Sequence, residues 1–217
     1  MCKTSRNRKI IPALLTDNCQ DLEEMTKVCS GFCEYAQVDI MDGEFVASKS
    51  IGKESLFNFN SFVAYELHLM VVDPLAWVES ACHAKAKRII YHYEIDKDHQ
   101  EIISRVKKEG LSVGVAVNPS TAIVELENII DKIDTVLFMS VEPGFYGASF
   151  KPEVLEKIKE FKSKYPKKRI GIDGGVKFDN FRVIKDTGVD DICVGSAILK
   201  ADNPKIAYKS FRELLDV

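Results

Sequence analysis

Eight short runs of β-branched and other apolar residues, evenly spaced along the chain, constrain its fold more than any other feature. The centres of neighbouring runs lie about 22–34 residues apart, which is the length of one strand plus a crossover helix. The predicted strands are Ile10–Leu15, Tyr35–Met41, Val63–Met70, Arg88–Tyr93, Ser112–Val117, Thr135–Ser140, Arg169–Asp173 and Asp191–Val194. The chain therefore reads as a repeated strand–helix unit.

Helical periodicity fills the stretches between the strands. Pro152 suits a first helical turn, and it precedes an apolar stripe that consists of Val154, Leu155, Ile158 and Phe161. Ser120 is predicted to cap a helix that runs through Ile129. Gly110 and Gly188 each end a helical pattern just before a strand, where a left-handed residue is commonly needed.

Eight such units in 217 residues predict an α/β fold, a single-domain (β/α)8 TIM barrel with short loops. A doubly wound open sheet is the alternative. Its dinucleotide fingerprint G-x-G-x-x-G is absent after the first strand, where the sequence reads Leu14-Leu15-Thr16-Asp17-Asn18. Since no linker or break in composition interrupts the pattern, we expect one domain over residues 1–217, with residues 1–8 forming a basic tail.

Composition excludes several classes of function. The formal charge is −3, without the global basic character of many nucleic-acid-binding proteins. The longest apolar runs fall short of the roughly 20 residues that span a bilayer, so neither nucleic acid nor membrane is expected as a partner. Six cysteines lack a CxxC pair and are interpreted as reduced thiols. No convincing secretory signal is visible, and a cytoplasmic protein is expected.

Polar residues interrupt strands that should carry branched apolar side chains. Strand alternation directs Gln37 and Asp39 into the barrel, together with His68 and, as a further candidate, His92. Asp173 stands at the carboxyl end of the seventh strand. A single strand-end aspartate also caps helices, and a single inward histidine also serves as a core residue. Three strands that carry such groups favour a site, because strand carboxyl ends carry catalysis in this fold. His83 and His99 are interpreted as helix-surface residues.

Glycine-bearing loops follow the last three strands. They are Met139 to Gly147, Asp173-Gly174-Gly175, and Val194-Gly195-Ser196-Ala197. Glycines also serve simple tight turns, but barrels commonly bind phosphate between the loops after strands 7 and 8, ahead of a short extra helix. The combination favours a phosphate site at Gly174, Gly175, Gly195 and Ser196.

Together these segments resemble the ribulose-phosphate 3-epimerase family. The matches lie in family order and are Val38 to Val46, His68-Leu69-Met70, Asn118-Pro119, Met139 to Phe145, Asp173-Gly174-Gly175 and Val194-Gly195-Ser196. The resemblance implies an enzyme that inverts C3 of a ketose phosphate, D-ribulose 5-phosphate to D-xylulose 5-phosphate, through an enediolate. It implies Asp39 and Asp173 as the acid–base pair, and Asp39, His68 and Asp173 as ligands of a divalent ion (Zn, Mn, Fe or Co). The implied substrate contacts are His68, Met41, Met70, Met139, Gly144, Phe145, Tyr146, Gly147, Gly174, Gly175, Gly195 and Ser196. Family members are often dimers or larger, which implies a homo-oligomer.

The chain departs from the family pattern at several positions. Gln37 replaces a ligating histidine, which predicts a weakened or absent metal site because an amide is a poor substitute for imidazole. Ala13 replaces a substrate-contacting serine, and Ala148 a glutamine. Three alternatives follow: a related hexulose-phosphate 3-epimerase (allulose 6-phosphate, for example), a different phosphate-binding barrel enzyme, or a non-catalytic sugar-phosphate-binding barrel. Met41 stands where related decarboxylases carry lysine, which argues against them.

Overall fold

Within residues 8–144 and 149–216, the ranges that this computed structural model describes, eight parallel strands close into a barrel. The strands pair in sequence order, and β1 closes the ring by pairing with both β2 and β8. They are β1 (Lys9–Leu14), β2 (Tyr35–Met41), β3 (Ala64–Met70), β4 (Arg88–His92), β5 (Ser112–Val117), β6 (Thr135–Met139), β7 (Arg169–Asp173) and β8 (Asp191–Val194). The predicted barrel is confirmed, and each strand boundary lies within one residue of its predicted position.

Helices connect the strands and cover the outside of the barrel. The α-helices are α1 (Cys19–Ser30), α2 (Lys53–Leu56), α3 (Val78–His83), α4 (His99–Lys108), α5 (Glu153–Lys164), α6 (Phe178–Lys185), α7 (Ser196–Leu199) and α8 (Pro204–Asp216). Short 3-10 helices cover Pro74–Trp77, Ile123–Asn128 and Ile130–Lys132. The left-handed conformations expected at Gly110 and Gly188 are present, with φ of +76° and +82°. Among the described residues, no helix is both long enough and apolar enough to cross a membrane.

The segment after β5 differs from the prediction. Instead of an α-helix capped by Ser120, the chain forms the 3-10 helix Ile123–Asn128. The ammonium group of Lys157 donates to the backbone carbonyls of Asn118, Pro119 and Thr121, and it therefore fixes the turn that precedes the 3-10 helix.

The prediction for His99 is also wrong. His99 begins α4 but is half-buried, not exposed on the helix surface. Its ring stacks against Tyr91 and Tyr93 of the preceding segment, with centroid distances of 5.7 and 4.6 Å. His83 is exposed, as predicted.

Alternation along the strands separates two apolar cores. Outward side chains such as Val38, Leu67 and Ile172 join the helices in the larger core. A smaller cluster fills the barrel interior and consists of Ile11, Ala13, Ile90, Ala116, Leu137, Met139 and Cys193. This interior cluster supports the polar residues at the carboxyl ends of the strands.

A buried ionic network occupies the opposite, amino-terminal end of the barrel. The Arg88 guanidinium lies 3.1 Å from the Glu66 carboxylate and 3.6 Å from Asp191. Arg169 donates to the same Asp191, and the Tyr35 hydroxyl donates to Glu66 over 3.1 Å. Burial raises the pKa of Glu66 to about 7, against the lowering effect of Arg88. In this fold such a location indicates a contribution to stability, not to catalysis.

The basic tail predicted over residues 1–8 does not include Arg8, which is bonded to the barrel. Arg8 donates to the backbone carbonyls of Val189 and Lys185, and Arg212 donates to the carbonyl of Arg8. Arg8 is therefore attached to the barrel. Residues 1–7 lie outside the described residues.

Candidate active site

A cleft of about 880 Å³, its open mouth included, lies at the carboxyl ends of the strands. Size and position are those of a typical small-molecule site in a barrel enzyme. The predicted site residues that line it are Asp39, Met41, His68, Met70, Met139, Gly144, Asp173, Gly174, Gly175, Gly195 and Ser196. The remaining predicted contacts, Phe145, Tyr146 and Gly147, lie outside the described residues, as does Ala148.

Three of these side chains meet at the floor of the cleft. The His68 Nδ1 atom lies 3.1 Å from Asp39 Oδ1 and 3.4 Å from Asp173 Oδ2. One ligand atom of each residue lies within 4.8 Å of the other two. Neighbouring strands β2 and β3 set the first contact, because Asp39 and His68 are register partners. The second contact crosses the barrel from β7.

Gln37 joins the same cluster through its side-chain amide. Its Nε2 group donates to Asp39 Oδ1 over 2.8 Å and to Asp173 Oδ2 over 2.6 Å. Its Oε1 atom accepts from the Cys193 thiol, with a distance of 3.1 Å to Sγ. The inward direction predicted from strand alternation places the amide between the two carboxylates.

A second imidazole continues the polar cluster. His92 of β4 is fully buried, and its Nε2 atom lies 3.0 Å from His68 Nε2. Its Nδ1 atom lies 3.3 Å from Glu94 Oε2. Glu94 is fixed in turn by the Asn118 backbone N–H and the Thr121 hydroxyl. His92 therefore faces the barrel interior beside His68, as its place on the strand suggested.

Burial and mutual interaction separate the pKa values in the cluster. Burial, joined by the charge of Asp173, holds the pKa of Asp39 above its usual value. Burial acts on Asp173 too, but hydrogen bonds from His68 and Gln37 outweigh it and lower the pKa of Asp173. The two carboxyl groups overcome the effect of burial on His68 and raise its pKa to about 9. Burial and the charge of His68 lower the pKa of His92 to about 4. Opposite shifts in two neighbouring carboxyl groups suit one acid and one base.

Comparison with known proteins gives this site a context. The sequence model of the Ribulose-phosphate 3 epimerase family matches residues 9–199. The chain belongs to this family. Ribulose-phosphate 3-epimerase of Schizosaccharomyces pombe is 33% identical over 210 residues, which cover 94% of this chain and 92% of that protein. The enzyme of the same name from Escherichia coli strain K12 is 31% identical over 217 residues, with 96% of each chain covered.

Solved structures agree on the fold of this epimerase family member. KGPDC from Streptococcus mutans aligns with a TM-score of 0.77 at 12% identity and covers 95% of this chain and 96% of its own. Orotidine 5'-phosphate decarboxylase from Pyrococcus horikoshii OT3 aligns with a TM-score of 0.66 at 16% identity and covers 96% and 100%. At these identities the likeness shows the barrel alone. The family assignment rests on the sequence matches, and it makes the chain an isomerase-type enzyme.

The donor set fits a divalent cation at three positions. Two carboxylates and an imidazole are ordinary ligands of first-row divalent ions, and those of Asp39, His68 and Asp173 already converge. Gln37, for which the resemblance implies the place of a fourth ligand, turns its amide nitrogen toward them. In this orientation it donates hydrogen bonds and offers no lone pair to a cation.

Apolar side chains form the walls above the carboxylates. Met41 and Met70 pack with Val46, and all three are buried. Met139 lies on the other side within the interior cluster. Ala13 lines the cleft where the resemblance implies a serine, and its methyl group offers no hydroxyl contact.

Cys193 and Lys177 line the cleft and bear polar groups, but they were not among the predicted site residues. Cys193 was interpreted only as a reduced thiol, yet the inward parity of β8 brings it under Gln37. Lys177 lines the cleft beyond Gly175 and is the one lysine or arginine of the described lining. The sequence could have indicated Lys177 as a cleft residue, because it follows the glycine pair of the predicted phosphate site, Gly174-Gly175, by two residues.

Proposed function

We propose that this protein is an epimerase that inverts C3 of a ketose phosphate and converts D-ribulose 5-phosphate to D-xylulose 5-phosphate. The observation that carries the proposal is the pair of carboxyl groups, Asp39 from β2 and Asp173 from β7, held together at the floor of one cleft. Inversion needs a base on one face of the reacting carbon and an acid on the other. Membership in the epimerase family supports this reading of the geometry.

The proton steps follow from these two groups. One carboxylate removes the C3 proton, and the electron pair moves into the C2–C3 bond as the C2 carbonyl oxygen gains negative charge. The other carboxyl group returns a proton to C3 from the opposite face, and the two exchange roles in the reverse direction. In the cation-free protein, the His68 imidazolium lies within 3.4 Å of both carboxyl groups and stabilises negative charge in the cluster.

Methionines suit the walls of such a site. Met41, Met70 and Met139 are buried and line the cleft. Their thioethers are polarisable and carry no exchangeable proton, so they exclude water without offering the intermediate a competing acid. The carbanionic intermediate is thereby protected.

We also propose that Asp39, His68 and Asp173 hold a divalent cation (Zn, Mn, Fe or Co), weakly because Gln37 replaces the fourth ligand. A bound divalent cation supplies Lewis-acid stabilisation of negative charge on substrate oxygens. The phosphate is assigned to the loops that follow β7 and β8, beside Gly174, Gly175, Gly195 and Ser196. The positively charged ammonium group of Lys177, which lines the same cleft, supports that assignment.

Incubation with ribulose 5-phosphate in deuterated water tests the proposal, with and without added Mn²⁺. We expect xylulose 5-phosphate and deuterium at C3. Asp39→Asn and Asp173→Asn are each expected to reduce turnover by at least about 100-fold. Glu66→Gln is the matched control, because it removes an inward carboxylate at the other end of the barrel, and it should leave turnover unchanged. Native protein that forms neither product nor C3-deuterated substrate would contradict the proposal.

One observation favours a second substrate. The methyl group of Ala13 lines the cleft where the family places a serine, and this leaves more room and one fewer hydrogen bond for the sugar. A hexulose phosphate such as allulose 6-phosphate is therefore the second candidate. The same assay with both sugars decides between the two substrates, because the preferred substrate has the higher kcat/KM.

We further propose a cytoplasmic homo-oligomer. The described cysteines are all free thiols, which supports a reducing compartment. The oligomer follows from family membership alone, and light scattering coupled to size-exclusion chromatography tests it. A monomeric mass at micromolar concentration would contradict it.

A further inference from the structure

Gln37 is held by hydrogen bonds at both ends of its amide. The nitrogen donates to two carboxylates, and the oxygen accepts from the Cys193 thiol over 3.1 Å. Gln37 and Cys193 are both fully buried. A buried amide with all of these partners has one strongly preferred orientation, because reversal breaks each bond.

The amide nitrogen lies among the three atoms that would bind a cation. It is 2.8 Å from Asp39 Oδ1, 2.6 Å from Asp173 Oδ2 and 3.5 Å from His68 Nδ1. A divalent ion ligated by the same atoms would need distances of about 2.0–2.2 Å to each. The nitrogen therefore occupies the space that such an ion would take, and the ion requires the amide to leave or to turn.

Turning the amide has a defined cost at Cys193. With Oε1 toward the carboxylates, repulsion between oxygen atoms arises unless a cation lies between them. The NH2 group would then face the sulfur, which is a weak acceptor. The thiol therefore favours the orientation in which Gln37 donates.

We propose that Gln37 and Cys193 form a positioning pair that competes with the divalent cation. The thiol orients the amide, and the amide joins the two carboxylates when no cation is bound. The inference rests on the cation site of the proposed function, but it concerns only which atom of Gln37 faces that site. Removing the thiol is expected to strengthen cation binding, because the amide can then turn without losing a hydrogen bond.

Mn²⁺ titration of the purified protein tests the pair, since this hard cation does not favour thiolate ligands. We expect Cys193→Ala to lower the Mn²⁺ dissociation constant by about twofold to tenfold, the factor of one neutral hydrogen bond. Cys193→Ser should also strengthen Mn²⁺ binding, because a hydroxyl oxygen accepts from the turned NH2 group as readily as the hydroxyl donates to Oε1. Cys33→Ala, at a buried cysteine outside the cleft lining, is the matched control. Equal or weaker Mn²⁺ binding by Cys193→Ala would overturn the proposal.

A second measurement uses the native protein and needs no folded Cys193 variant. The side-chain NH2 signals of Gln37 can be assigned in a ¹H–¹⁵N spectrum by their absence in Gln37→His. We expect them to exchange with water much more slowly than those of Gln20, which is exposed. Exchange as fast as that of Gln20 would refute the bonded orientation. Neither measurement depends on turnover, so failure of the epimerase assay and failure of this inference are separate results.

Discussion

Gly174→Ala is the substitution whose cost the structure defines most sharply. Gly174 follows the catalytic candidate Asp173 and has a φ of +106°. A Cβ atom there would lie 2.5 Å from Cγ2 of Val141. The positive φ costs about 1–2 kcal/mol for a residue with a side chain, and crowding a packed site adds about 1–3 kcal/mol. We therefore expect a loss of about 2–5 kcal/mol in the free energy of unfolding.

Urea denaturation followed by circular dichroism measures this loss. Gly188→Ala is the control, because φ is +82° there and a Cβ meets no described atom within 4 Å. It should cost only the conformational part, about 1–2 kcal/mol. In a Val141→Ala background, Gly174→Ala should cost less, because only the 3.2 Å contact with Cβ of residue 141 remains, so that a double-mutant cycle measures the clash with the γ carbons. Equal costs in both backgrounds, or an equal cost at Gly188, would refute the reasoning.

Three further predictions concern stability. Glu66, with its pKa raised to about 7 by burial, binds a proton in the folded state that the unfolded state releases at lower pH. The free energy of unfolding should decrease as pH rises from about 4.5 to about 7, and Glu66→Gln should flatten that slope in urea titrations at several pH values. Gly114→Ala would place a Cβ 2.6 Å from Cγ2 of Thr135, and it should lower the free energy of unfolding by about 1–3 kcal/mol. The loss should be smaller in a Thr135→Ser background, which lacks that methyl group. An unchanged melting temperature would contradict the prediction. Asn18→Ala removes the acceptor of two N–H groups at the start of α1 and should cost about 1 kcal/mol, whereas Asn18→Asp should retain most of the stability.

The catalytic candidates could be predicted because their signal is local. A strand directs alternate side chains to opposite faces, so the apolar partners Val38 and Ile40 already indicate that Gln37 and Asp39 face inward. The structure places both there, with His68 beside them. The left-handed conformations of Gly110 and Gly188 were predictable for the same reason, because each depends only on the helix end at which the glycine lies.

The failed predictions have long-range causes. A 3-10 helix replaces the α-helix expected after Ser120, and the turn that precedes it is fixed by Lys157, more than 35 residues away in sequence. His99 is half-buried because two tyrosines of the preceding segment stack on its ring. Neither partner is visible in the sequence surrounding these residues.

By itself, the sequence determined the eight strands, the barrel and the inward direction of its polar residues, because each depends on periodicity within one element. Only the tertiary structure decided which atoms of those residues meet. Gln37 contacts Asp173 and Cys193 across 136 and 156 positions of sequence, and these contacts orient its amide. Closure of the barrel, which joins β1 to β8, brings such distant groups within hydrogen-bonding distance and so determines whether position 37 donates to the carboxylates or ligates an ion.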